Sequence, residues 1–120
     1  MSEDKQIKDT IKFCKEHLMM INSLSNQQAA YSKHTEEWEK IEHNLIELEC
    51  KLYNELLLLE IEEVEYLFEE LPVLSMLGLH LFKYFKKPEY TKEITLLSES
   101  AILLIGILGN AIQTSTESNE

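Results

Sequence analysis

Four residues whose types could hold a metal stand in one row: Glu36, Glu39, His43 and Glu47, at spacings of three, four and four. On a helix such a row shares one face and could offer carboxylates and an imidazole to a divalent ion. Neither Glu-x-x-His nor His-Glu-x-x-His occurs, so the helical di-iron and zinc signatures are missing. The row reads as a solvated acidic face, and no metal or cofactor is expected. A metal-dependent helical enzyme using these carboxylates is one alternative the row offers. Nucleophiles are no better placed. Cys14 and Cys50 fall in apolar seams, where thiols are buried and inert, and Ser98 and Ser100 flank Glu99 with no histidine in helical reach. Glu36-Glu37 is followed by Lys40 where a Glu-Glu-x-x-Glu motif needs its third acid. No enzyme is expected.

A second acidic row carries more functional promise. Glu55, Glu62 and Glu69 are one heptad apart, flanked by Glu63 and Glu70, and begin where a leucine-rich stretch containing Leu56 and Leu59 ends. A partner meeting this surface would find carboxylates and leucines together. Residues 35–70 hold thirteen acids and two lysines, a concentration of one sign that steers basic partners and excludes acidic ones.

His80 lies three residues before Lys83, with Lys87 on the same side. In this His-x-x-Lys pattern alone the chain resembles histidine phosphotransfer domains, which are also small acidic helical bundles. The resemblance implies His80 as a phosphoacceptor; those domains place glycine after the lysine, and Tyr84 stands there in this chain.

The composition bounds the partners. Of 120 residues, 22 are acidic and 11 basic, every one of the latter lysine, for a formal net charge of −11. Such a field repels nucleic acid and anionic membranes, and without arginine there is no forked donor for phosphate or guanine. The longest apolar run, Ala101 to Leu108, is far short of the ~20 residues of a membrane span. The first 20 residues carry charges throughout, unlike a secretory leader, and two cysteines without Cys-x-x-Cys spacing suit a reducing cytoplasm.

These residues must be positioned by helices. Ile7, Ile11, Cys14, Leu18 and Ile21 form one seam, predicting a first helix over about 3–24, then a polar loop over 22–34. Thr35 before Glu36 and Glu37 is a helix start, and the pattern persists to Leu71, before Pro72. This reading favours one unbroken helix of about 36 residues, ~54 Å long, over a break near Asn54. It carries two stripes. One is Trp38, Ile41, Leu45, Leu48, Leu52 and Leu56; the other runs from Ile46 through Cys50, Tyr53, Leu57, Ile61, Val64 and Phe68 to Leu71. A third helix is expected over 72–87 and a fourth over 91–108, the latter apolar on nearly every face, with Gly109-Asn110 as its stop.

The expected architecture is therefore all-α: a four-helix bundle-like domain over 1–112 with one long central helix and a polar tail over 113–120. A 54 Å helix cannot fit inside a domain this size, so its arm should be completed by a second copy along Trp38, Ile41, Leu45, Leu48 and Leu52. The function expected is a non-catalytic interaction protein (adaptor, chaperone, or inhibitor of the immunity type). Its partner should be a protein with a basic or amphipathic surface, and Glu55, Leu56, Leu59, Glu62, Glu63, Glu69 and Glu70 should meet it.

Overall fold

Seams spaced three and four residues apart, with only two prolines among 120 residues, make helices, and a computed structural model of the chain is all-α. It describes the backbone of residues 2–118 and the side chains of 7–111. Among these are six α-helices and no strand: α1 (Ser2–Gln28), α2 (Glu36–Leu56), α3 (Ile61–Glu70), α4 (Val73–Phe82), α5 (Thr91–Ile94) and α6 (Glu99–Ser118). A 3-10 turn, Pro88–Tyr90, leads into α5.

The long central helix does not form. Helix α2 ends at Leu56, and its last turn tightens as the Leu58 and Leu59 amides reach back to the carbonyls of Glu55 and Leu56. Glu60 then adopts an extended backbone, and its N–H donates to Glu63 Oε1 at 3.0 Å, starting α3 anew. The physical reason is burial. A straight helix would spread Leu56 to Leu59 around its whole circumference. The break buries Leu56, leaves Leu57 and Leu59 packed against the core, and lets α3 turn Val64 and Leu67 inward. Only Leu58 is left largely in solvent.

With the arm gone, the chain closes on itself in a body measuring 49 × 36 × 25 Å. Helix α1 makes its main packing against α2, and α4 against α6. Leu45, Leu52 and Leu56 are buried, and Trp38, Ile41 and Leu48 half-buried. Ile41 and Leu48 pack on the same core cluster as Cys14 and Ile21 of α1. Most of the seam expected to need a second copy is thus covered within the chain itself.

Other boundaries moved for local reasons. Helix α1 continues to Gln28, through residues expected to form a loop. Thr35 does cap α2, accepting from the Trp38 amide at 3.3 Å. The expected fourth helix is two: Thr95 Oγ1 bonds back to the Lys92 carbonyl, ending α5, and Ser98 Oγ accepts from the Ala101 amide to start α6. Asn54 pins that turn, donating to the Leu96 carbonyl and accepting from the Ser98 amide, both at 2.8 Å. The 72–87 helix stops at Phe82, with turns through Lys86. Helix α6 does not stop at Gly109; it runs to Ser118, so the expected tail is helical as far as described, and 119–120 lie outside the described residues.

Two glycines of α6 explain its register. A Cβ on Gly109 would sit about 2.5 Å from ring carbons of Phe82, so the α4–α6 approach requires glycine there. Gly106 has nothing within 4 Å of the same position. Gly109→Ala should therefore lose about 1–3 kcal/mol of stability to overpacking. Gly106→Ala should gain up to about 1 kcal/mol from helix propensity alone. Urea unfolding of the two variants checks the opposite signs.

Candidate functional site

Glu42 and Glu49 continue the line of Leu45, Leu52 and Leu56 at spacings of three and four, which puts two carboxylates into the apolar side of α2. Both are buried. A buried carboxylate needs a cation or several donors, and α4 supplies them. His80 Nδ1 lies 2.8 and 2.9 Å from the two oxygens of Glu49, and its Nε2 lies 3.3 Å from Glu42 Oε2. Tyr84, one turn along, donates its hydroxyl to the same Glu42 oxygen. Gln28, at the end of α1, donates to Glu42 Oε1 at 2.9 Å and to the Trp38 carbonyl at 3.2 Å. Three helices are thereby tied through one carboxylate.

The charge states follow from these contacts. Burial alone would lower the His80 pKa, but hydrogen bonds and charge from Glu42 and Glu49 outweigh it and raise it to about 9. Burial pushes Glu42 the other way, and donors from His80, Tyr84 and Gln28 bring it down to about 2. Glu49 is held above the usual carboxylate range, because its burial outweighs the one histidine serving it. At neutral pH the ring is an imidazolium held between the Glu42 carboxylate and the buried Glu49 side chain.

A cleft of about 960 Å³ opens beside this network. One wall is the α1–α2 turn with Lys33 and His34; the other is the segment after α4 with Lys83, Lys86 and Lys87; Trp38, Glu42 and His43 of α2 contribute to its lining. His34 takes a left-handed backbone, φ 70°, a conformation uncommon outside glycine but one in which histidine, like asparagine and aspartate, is enriched, and it turns the chain into α2. Lys87 Nζ stands 5.1 Å from the centre of the Tyr84 ring, in cation–π contact.

The sequence-derived candidates fall in different places. The Glu36, Glu39, His43, Glu47 row is not a uniformly solvated face, because the 88–94 segment covers its middle. Tyr90 donates to Glu39 at 2.6 Å and stacks on His43, whose Nδ1 lies 2.9 Å from Glu93 Oε1; Glu47 pairs with Lys51 at 3.3 Å. Glu39, His43 and Glu47 are thus engaged elsewhere while Glu36 stays exposed, and among the described residues no group of three or more such side chains could hold a metal ion. His80 is brought to a cleft as a clamped cation rather than a free base. Burial raises the thiols of Cys14 and Cys50 to about 11 and about 12, leaving both protonated.

The second acidic row is divided by the break, Glu55 on α2 and the rest on α3. Leu56 is fully buried and so withdrawn from any partner surface. Glu62, Glu69 and Glu70 are exposed, and Glu63 and Leu59 half-buried. Leu58, Ile61 and Tyr66, which sequence reasoning did not assign to a partner, stand beside them with 72%, 70% and 45% of their surface in solvent. Helix α6 also leaves Leu103 and Ile107 exposed.

Sequence reasoning missed Gln28, Glu42, Glu49, Tyr84 and Tyr90. The signal for the two acids was present, carboxylates in phase with a leucine seam; their partner, 31 and 38 residues away, was not marked by any spacing. Compared with protein-family models, curated proteins and solved structures, the chain matches none.

Proposed function

We propose that the protein is a non-catalytic interaction protein whose α3 face receives a basic amphipathic segment of a protein partner. The observation that carries this is the outward side of α3. In ten residues it holds five carboxylates and no base, and Ile61 and Tyr66 are exposed among them, with Leu58 just ahead of the helix. Apolar residues interspersed with like charge suit a partner that offers lysines or arginines beside leucines, with charge guiding approach and burial supplying affinity. The state of the cysteines and of His80 among the described residues favours a binding role. The thiols are buried and protonated, and both nitrogens of His80 are engaged, which also leaves the phosphotransfer reading without an available nucleophile. No described helix is long and apolar enough to cross a membrane. A reducing cytoplasm suits two unpaired buried thiols.

Affinity capture from the native host, comparing wild type with Glu62→Lys/Glu69→Lys, tests the reading. The wild type should recover one stoichiometric protein bearing a basic amphipathic segment, and the variant should lose it. Equal recovery by both would move the contact away from α3.

A further inference from the structure

Acids outnumber lysines two to one in this chain, so a lysine should easily find a carboxylate. Four lysines nonetheless converge on one cleft, Lys33 from one wall and Lys83, Lys86 and Lys87 from the other, and none of them forms a salt bridge among the described residues. Two of the three carboxylates in the lining are already committed, and the third, Glu89, forms no salt bridge with these lysines. Glu42 accepts from Gln28, Tyr84 and His80, and Glu39 accepts from Tyr90 with His34 Nδ1 at 3.4 Å. Setting His80 against Glu42 leaves four lysines facing Glu39 and Glu89, an excess of positive charge on a molecule of net −11. Gathering like charges in a concavity is unfavourable unless something of opposite sign enters it.

We propose that this cleft binds a small, multiply charged anion of the phosphate-ester class between the Lys33 wall and the Lys83–Lys86–Lys87 wall. Lysine ammoniums are point-charge partners for phosphate, needing no forked geometry, and this suits a chain without arginine. The volume falls within the range of roughly 300–1,000 Å³ typical of small-molecule sites, which favours a compact ligand over a protein segment. Trp38, half-buried in the lining, provides flat apolar surface for the organic part of such an ester. The site is separate from the α3 face and stands or falls independently of it.

Inorganic pyrophosphate is the probe, followed by titration calorimetry and by the fluorescence of Trp38, the single tryptophan. Wild type should show a saturable change with a Kd on the order of a millimolar or tighter. Lys83→Gln/Lys86→Gln/Lys87→Gln should weaken it about tenfold or more. Lys8→Gln/Lys12→Gln/Lys15→Gln, the same change in charge on the exposed side of α1, should leave it within about twofold. All six lysines are exposed, and far-UV circular dichroism verifies that each variant folds. The proposal is overturned by absence of saturation, or by equal weakening in the two triple variants. It is overturned equally if a glutamate decapeptide saturates the signal at lower concentration than pyrophosphate, since the groove would then serve an acidic protein segment.

Discussion

Replacing His80 with alanine is expected to cost about 3–5 kcal/mol of folding stability, because it leaves two buried acidic side chains without the ring that serves both. For a small domain with a total of about 5–15 kcal/mol this is a large share. His80→Gln, which keeps one donor toward Glu49, should cost less. Adding Glu49→Gln to His80→Ala should return part of the loss, since removing both members of a buried pair leaves fewer unmet groups than removing one. Urea unfolding at pH 7 measures all three, and a His80→Ala loss under about 1 kcal/mol would mean the pair carries no net weight.

The same ring sets the pH dependence on the alkaline side. Its folded pKa, about 9, lies above the ordinary 6.5, so the folded state holds the proton more tightly. That contribution is complete below 6.5 and is lost as pH rises through about 9. Wild type should lose on the order of 2–3 kcal/mol across this window relative to His80→Gln. Subtracting the variant removes the thiols and tyrosines, which titrate at higher pH in both. On the acid side Glu42 works in reverse: its stabilising share is present above 4.5 and disappears as pH falls toward about 2.

The second large effect tests the break between α2 and α3. Leu56→Ala should destabilise by about 2–5 kcal/mol, as a fully buried leucine leaves a cavity among its neighbours. Leu58→Ala, two residues on but 72% exposed, should stay within about 0.5 kcal/mol. Thermal or urea denaturation of the pair therefore reports the local geometry directly. Equal losses at the two positions would argue against a buried Leu56 beside an exposed Leu58.

Local signals in the sequence were read well where a short-range contact creates them. Thr35 before two glutamates caps α2, and the three-four spacing of Cys14 and Ile21 identified the buried side of α1. The thiols were legible as core residues for the same reason. Signals that compete were misread. Glu60 and Glu63 form a capping pair within an acidic stretch, where two further glutamates look no different from surface charge. Ser98 was available as a helix start but stood inside a long apolar pattern.

By itself, then, the sequence determined the all-helical class, the identity of most core positions and the excess of negative charge, because periodicity and composition act over one or two turns. Tertiary structure alone decided that α2 stops at Leu56, since no proline or glycine forces it and the gain comes from burying Leu67 and Val64 against helices elsewhere in the chain. It also decided the chemistry of the cleft. Glu42, Glu49 and His80 become a clamped ion cluster, and lysines 50 or more residues apart become neighbours, only when α2 and α4 pack side by side.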